Sequence, residues 1–498
     1  MTPTTTTADT ARSFIAGKWT DDARKTVPNI NPAKIDTPVG AIHFVGAEET
    51  NRAIAAAKRA QRDWGKRPAP DRARFVTRFS EIAKSHVDEL AKIMTLEEGK
   101  PLKEARGEIM KGINIIDFFI GEGWRIGGKT LPSEMANTLT YTIRQPIGVA
   151  GLITPWNFPW AVPVWKIVPA LIAGNTVVFK PASITALIAS RIAEMFEEAE
   201  LPAGVLNLLI GSGREVGATI VEHPDVPVLS FTGSNPVGGK LYEQGAKKLA
   251  KVTCEMGGKN PLVVMPDADI DLAVAGTVQG AFGSTGQRCT ATSRLILHEA
   301  IHDAFMEKLL AETAKIEVGD GMDPETTMGP AVDEGQMQTD LDHIEIAKKE
   351  GLTCATGGAR LTGEAYDNGY FVSPTIFTDV PRRSRLFQEE VFGPVLAVTR
   401  AKDFDEALDL CNDTTFGHTC ALYSQNVTHI QRFIGGIETG MVHINSPTIG
   451  GEAQLPFGGI KGTGVGDREM AEEGINFFTE LKTVWLDYTG TKRETNIY

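Results

Sequence analysis

The sequence predicts an α/β protein built on parallel sheets, and three observations carry that expectation. Short apolar runs without in–out alternation recur along the chain: VAGLI (149–153), NTVVF (175–179), VLNLL (205–209), PVLSF (227–231) and PLVVM (261–265). Stretches of helix-forming residues separate them, the pattern of strands buried on both faces and joined by crossover helices. At 498 residues the chain is long enough for two or three such units, each with its own core.

Taken in order, residues 48–63 (EETNRAIAAAKRAQRD) and about 70–95 are expected helices. TLTYTIRQPIGVAGLI (138–153) is rich in β-branched residues and alternates at its start, so it is expected to be extended. From there strand and helix alternate: strand 149–153, helix 161–173, strand 175–179, helix 184–199, strand 205–209, short helix 214–222, strand 227–231, helix 236–250, strand 251–255. After Gly257-Gly258 a second alternation begins, with strands at 261–265 and 294–299, helices at 270–283 and 300–314, and further strand-like runs at 391–399 and 419–423. Two α/β domains meeting near 256–260 follow. The tail 477–490 alternates like an edge strand and is expected to pair with another subunit or with 138–145.

Ile147–Trp165 carries no charge over 19 residues, close to the length of a membrane span. Pro155, Pro159 and Pro163 would strip such a helix of its backbone bonding repeatedly, so the segment reads instead as a strand entering a buried loop. A net charge of -13 argues against nucleic acid and anionic membranes as the main partners, leaving a small molecule. The five cysteines are odd in number and form no CxxC pair, which excludes a disulfide framework and fits a reducing compartment, the cytoplasm. The opening MTPTTTTADT lacks the basic and apolar regions of a signal peptide and reads as a flexible polar start.

In parallel sheets ligands gather beyond the carboxyl ends of the strands. Asn157, Lys180, the Gly211–Gly213 loop, Thr232-Gly233-Ser234 and Glu255 all follow strand ends on one edge of the first unit. Gly233 and Gly238 stand in a strand-to-helix turn that offers backbone N–H groups to a phosphate; an ordinary turn is the alternative. Cys289 sits in a polar loop, GSTGQRCTATSR, beside Arg288, whose charge is expected to draw the thiol toward thiolate. Cys254, Cys411 and Cys420 lie in apolar contexts and read as packing residues. Glu255 after a buried strand is either a general base or half of an ion pair, and the Asn157 amide either an oxyanion donor or a loop staple. No histidines cluster with carboxylates at ligand spacing, so no catalytic metal is expected. Thiol, carboxylate and amide together suggest thioester chemistry.

TPWNFP, VFKPAS, FTGS, EMGGKNP, GQRC, EEVFGP and PFGGIKGTG occur in that order, and in this the chain resembles the NAD(P)-dependent aldehyde dehydrogenase superfamily over nearly its whole length. The resemblance implies three parts: a dinucleotide-binding domain (1–125 and 147–256), a catalytic domain (257–456), and a β oligomerisation arm with the tail (126–146 and 457–498). It implies Cys289 as nucleophile, Glu255 as general base, Asn157 with the Cys289 N–H as oxyanion hole, and Lys166 beside the nicotinamide side of the site. The implied cofactor-contacting set is Ile153, Thr154, Pro155, Trp156, Lys180, Ser183, Gly213, Phe231, Thr232, Gly233, Ser234, Glu390 and Phe392. Phe158, Trp165, Arg288, Thr290 and Phe457 match substrate-tunnel positions, and the implied assembly is a homodimer or homotetramer.

Two departures stand out. Many NAD-preferring members carry a glutamate three residues after the lysine of KPAS, where this chain has Ser183; without that charge NADP is tolerated or preferred over NAD. GTGVGDRE has Asp467 inserted relative to the commoner SGxGRE pattern. GQRCTATSR is similar to α-ketoglutaric semialdehyde dehydrogenases, and Arg288 before the nucleophile offers an anchor for an anionic tail. A short carboxylate-bearing semialdehyde is therefore the expected substrate. The alternatives are uncharged aldehydes, with Arg288 paired to a local carboxylate, succinate semialdehyde, or glyceraldehyde 3-phosphate oxidised without phosphorylation. A non-catalytic binding protein on this fold, or a cysteine hydrolase without cofactor, are the readings from other classes.

Overall fold

In the computed structural model, which describes residues 9–490, the apolar runs assemble into two separate sheets. The first has a parallel core in the order Lys251–Glu255, Val228–Thr232, Val149–Ile153, Thr176–Lys180, Leu206–Leu208. Short antiparallel strands close its edges, Gly464–Val465 on one side and Phe14–Ile15 with Lys18–Trp19 on the other. The chain leaves Val149–Ile153 in one direction, through Thr176–Lys180, and later returns on its other side through Val228–Thr232. Strand order therefore reverses there, and the loops after Ile153 and Thr232 diverge to leave a crevice.

The second sheet runs Thr353–Thr356, Thr375–Thr378, Val395–Ala401, Thr292–His298, Asn260–Val264, Thr419–Tyr423, Met441–Ile444, parallel except for its first strand. A third, antiparallel sheet holds Thr138–Pro146 between Thr130–Leu131 and the tail strand Thr479–Asp487. The tail thus pairs with residues 138–146 of its own chain and forms an edge, one of the two partners expected for it. Of the flexible start expected over residues 1–10, Asp9 and Thr10 instead open the strand Asp9–Ala11, paired in parallel with Gly40–Ile42, while residues 1–8, like residues 491–498 of the tail, lie outside the described residues.

Ile147–Trp165 divides as its prolines require: the strand ends at Ile153, a loop carries Pro155 and Pro159, and the helix Ala161–Ala173 takes Pro163 in its first turn. A proline is tolerated there because the first N–H groups of a helix lack intrahelical acceptors. Among the described residues, no helix is long and apolar enough to cross a membrane.

Three expectations need correction. The helix expected over about 70–95 is two, Ala69–Ser85 and Val87–Glu98. They part at His86, where the Ser85 hydroxyl and the His86 ring both turn back to the Ile82 carbonyl, 2.7 and 2.9 Å away, and compete with helical bonding. The strand expected over 391–399 begins only at Val395, because Phe392 adopts φ +65° and Pro394 cannot donate to a ladder. Helix Leu102–Glu122 was not anticipated at all; Gly107, Gly112 and Gly121 interrupt its pattern of helix formers. Gly112 earns its place by packing, since a Cβ there would stand 2.2 Å from the Trp160 indole nitrogen.

That contact gives a direct test. Gly112→Ala drives a methyl into the fully buried Trp160 and is expected to destabilise the fold by about 1–3 kcal/mol, read as a lower urea midpoint. An unchanged midpoint contradicts the packing.

Candidate active site

Between the carboxyl ends of the first sheet and the facing loops of the second lies a cavity of about 1500 Å³. Asn157, Glu255 and Cys289, expected together from sequence alone, all line it. Asn157 comes from the loop after Val149–Ile153, Glu255 ends strand Lys251–Glu255, and Cys289 follows helix Ile270–Phe282.

The thiol is placed by an unusual turn. Past Gly283, three consecutive residues, Ser284, Thr285 and Gly286, sit in the left-handed region at φ 50°, 60° and 67°. Each non-glycine residue held there costs on the order of 1–3 kcal/mol, so the surroundings must enforce it. The Glu104 carboxylate accepts from the Ser284 N–H at 2.9 Å and from its hydroxyl at 2.8 Å. Thr285 donates to the Gly329 carbonyl at 2.9 Å, and Gly286 passes so close to Gly393 that a Cβ would lie 2.3 Å from its carbonyl oxygen. Beyond the turn, Asn157 Nδ2 donates to the Gln287 carbonyl at 3.0 Å and Asn260 Nδ2 to the Cys289 carbonyl at 2.8 Å. Asn157 is thus a staple of the nucleophile loop and keeps its second amide hydrogen for another acceptor.

Burial dominates the electrostatics. It pushes the Cys289 thiol up to about 12, with the Glu390 and Glu255 carboxylates adding to the rise and Lys111 opposing it. Glu255 is lifted well above the usual carboxylate range by burial and by Glu469; its one backbone donor is Gly459, at 3.1 Å. A Cβ at Gly458 would come within 2.2 Å of Glu255, so a glycine is needed against this carboxylate. The expectation that Arg288 acidifies Cys289 does not hold: its guanidinium turns to Glu104 at 3.2 Å and to the Ser284 hydroxyl at 2.8 Å. Lys111 is the cation that acts on the thiol instead.

Lys166 does not line the cavity. It is buried behind Glu255 with its ammonium on Glu469 and, at 2.7 Å, on the Ser230 hydroxyl, while Trp165 Nε1 holds the other Glu469 oxygen at 2.8 Å. Glu469 belongs to the GTGVGDRE segment.

Of the cofactor set, Pro155, Trp156, Thr232, Gly233, Ser234, Glu390 and Phe392 line the cavity. Ile153, Thr154, Lys180, Ser183, Gly213 and Phe231 lie outside its lining, at or just past neighbouring strand ends. The reading of Gly233 and Gly238 as phosphate donors needs correction, because their N–H groups are spent on the Glu255 and Ser234 carbonyls at 3.1 and 2.9 Å. In the first turn of helix Asn235–Lys247 Pro236 has no N–H and Val237 donates to the Ser234 carbonyl at 3.1 Å, which leaves the Asn235 N–H as the donor open to a ligand among the described residues of that turn. Glu390 fits a ribose: Gly258 N–H holds it at 2.8 Å, and a Cβ on Gly257 would overlap it. Trp156 and Phe392 meet edge-on with centroids 5.5 Å apart, so the cavity has an aromatic corner near the half-buried Glu390, apolar surface beside a polar group of the kind small-molecule sites use.

Phe158, Trp165, Arg288, Thr290 and Phe457 all line the cavity on the Cys289 side. The unanticipated helix Leu102–Glu122 supplies what the sequence reading missed there. Glu104, Glu108 and Lys111 recur at i, i+4 and i+7 on one face, the signal that could have found them. Glu108 binds Lys100 at 2.6 Å and caps the Trp160 and Ala161 N–H groups at 3.0 and 3.1 Å; Lys100 donates to the Asn157 carbonyl at 2.9 Å. Among the described residues, no group of three or more His, Cys, Asp or Glu is arranged to hold a metal ion.

Comparison with known proteins matches residues 19–484 to the aldehyde dehydrogenase family. The chain is similar to the alpha-ketoglutaric semialdehyde dehydrogenase of Bacillus subtilis, 41% identical over 97% of this chain and 99% of that one. Among solved structures it superposes on betaine aldehyde dehydrogenase from Staphylococcus aureus in complex with NAD+, with a TM-score of 0.94, 34% identity and 97% of both chains covered. An E. coli NADP dependent enzyme gives 0.92 at 39% identity, covering 96% of this chain and 98% of that one.

The raised thiol predicts how Cys289 titrates. In the cofactor-free protein, alkylation of Cys289 by iodoacetamide should be slow at neutral pH and accelerate about tenfold per pH unit, because thiolate accumulates only as pH climbs toward the raised value. A rate that levels off below about pH 8, the behaviour of an acidified thiol, contradicts this.

Proposed function

Since the chain belongs to the aldehyde dehydrogenase family, we propose that the aldehyde it oxidises is a short semialdehyde bearing a terminal carboxylate, α-ketoglutaric semialdehyde above others. The observation that carries this reading is the cationic wall of the tunnel: Arg288 and Lys111 stand beside Cys289 in a lining otherwise furnished by Phe158, Trp165 and Phe457. Such a lining accepts a carbon chain and charges its far end. The B. subtilis relative's name supports the same class. The pairing of Arg288 with Glu104 favours a second reading, a tunnel for uncharged aldehydes.

The net reaction is RCHO + NAD(P)+ + H2O → RCOOH + NAD(P)H + H+. Cys289 adds to the carbonyl carbon, and the remaining Asn157 amide hydrogen with the Cys289 N–H receives the oxyanion. The nicotinamide, when bound, supplies the hydride acceptor and a positive charge near the thiol. Glu255 then takes a proton from the water that cleaves the thioester; burial raises its affinity for that proton. We assign Lys166, with Glu469 and Ser230, to fixing the wall behind Glu255. Glu390, Trp156, Phe392 and Ser234 take the cofactor at the cavity, with Lys180 and Ser183 toward its other end. Ser183 donates to the Gly211 carbonyl at 3.1 Å and brings no carboxylate, which supports acceptance of NADP beside NAD.

The first sheet with its helices is assigned to cofactor binding and the second to catalysis. In the small antiparallel sheet, Leu139, Ile143 and Leu486 are exposed on one face, with Tyr141 and Val484 between them. That face suits a second copy of the chain, as a homodimer or homotetramer. Five unbridged cysteines support a reducing compartment, the cytoplasm.

One panel tests the reading. Semialdehydes and simple aldehydes of equal length, each with NAD and with NADP, should give reduced nicotinamide fastest for the carboxylate-bearing members. Cys289→Ser should abolish the signal while cofactor binding persists. Turnover in that variant refutes the nucleophile assignment, and equal rates for charged and neutral aldehydes refute the substrate class.

A further inference from the structure

Among the described residues six cations line the cavity; Lys92, Lys103 and Arg106 are exposed, and of the buried or half-buried Lys100, Arg288 and Lys111 the first two are already engaged. Lys100 lies between Glu98 and Glu108, at 3.1 and 2.6 Å, and its remaining reach is taken by the Asn157 carbonyl. Arg288 is held through its Nη2 by Glu104 and the Ser284 hydroxyl, beside the Glu104–Ser284 bonds that clamp the nucleophile turn. Lys111 differs from both. Among the described residues no carboxylate comes within 4.0 Å of its ammonium and no hydrogen-bond acceptor is assigned to it. It is half-buried on the cavity-facing side of helix Leu102–Glu122, one turn beyond Glu108. Its ammonium is 6.0 Å from the centre of the Trp165 ring and 3.4 Å from where a Cβ on Gly451 would be, so it spans the tunnel between an aromatic wall and the 450–451 loop.

We propose that Lys111 binds the substrate's terminal carboxylate and so selects semialdehydes over neutral aldehydes. A half-buried ammonium without a counter-ion has lost water and keeps only a distant aromatic face, Trp165 at 6.0 Å, in exchange; an incoming carboxylate restores the missing partner, whereas a methyl terminus leaves it unpaired. Burial draws Lys111 below the ordinary lysine value, which accords with a site that lacks its anion. Arg288 contributes positive potential through a guanidinium whose Nη2 is committed to the loop while its buried Nε has no hydrogen-bond partner. The inference rests on the semialdehyde reading and names the group that enforces it.

The test compares 5-oxopentanoate with pentanal, aldehydes of equal carbon number that differ in the carboxylate, on the full-length enzyme at saturating cofactor. The readout is the ratio of their kcat/KM values, in which any effect of Lys111 on the Cys289 thiol, common to both, cancels. Lys111→Met should lower the ratio by about tenfold or more, through the KM for 5-oxopentanoate, as expected for one lost charge-assisted hydrogen bond. Lys111→Arg should keep it within about threefold, since the charge is retained. If Lys111→Met does not fold, Lys111→Gln is read in the same way. A wild-type preference for 5-oxopentanoate that survives in the Met or Gln variant overturns the role of Lys111 and leaves the semialdehyde class standing. A wild-type ratio near one overturns the class itself, and the anchor with it.

Discussion

Everything at the reacting centre hangs on the clamp between Glu104 and the left-handed turn at 284–286. A turn of three such residues is not one that the chain would adopt by itself. It exists because a carboxylate from helix Leu102–Glu122 receives two hydrogen bonds from Ser284, because Thr285 is tied to Gly329, and because only a glycine fits against Gly393. The same clamp fixes Arg288, and the next residues give Asn157 and Asn260 their anchor points on either side of the thiol. Helix Leu102–Glu122 therefore links the fold to the chemistry. Its Glu108 caps the helix that starts at Ala161, and through Lys100 it holds the loop that carries Asn157.

Around that scaffold, burial favours the protonated forms of the site's acidic groups. Burial raises Cys289, Glu255 and Glu390 together, and each carboxylate makes ionisation of the thiol harder. An enzyme that kept its thiol ionised in the empty state would expose it to oxidation and alkylation. Here ionisation instead waits for positive charge, which Lys111 supplies in part and a bound nicotinamide would complete.

Much of this was legible in the sequence. The parallel sheets, with strands such as Val228–Thr232 and Lys251–Glu255 within a residue or so of their expected places, follow from apolar runs without alternation. Cys289, Glu255 and Asn157 were legible because polar residues just past buried strands, or in a polar loop, stand out against their surroundings. Helix Leu102–Glu122 was not legible, since its glycines read as breaks and only the packing of Gly112 on Trp160 explains one of them. With the helix went Glu104, Glu108 and Lys111. The direction in which Arg288 points was also hidden, because adjacency to Cys289 in the chain says nothing about where a long side chain ends. Glu469 was lost for another reason: it is far in sequence from Lys166, and only the fold brings the two together.

The central claim is that Glu104 holds the nucleophile turn, and the kcat of a Glu104→Ala variant tests it most directly, with cofactor affinity measured alongside. Loss of the clamp should lower kcat for aldehyde oxidation by about tenfold to hundredfold, the scale of one or two charge-assisted hydrogen bonds, while cofactor affinity stays within about threefold. A variant that keeps the wild-type kcat, or that loses cofactor binding in step with turnover, would contradict it.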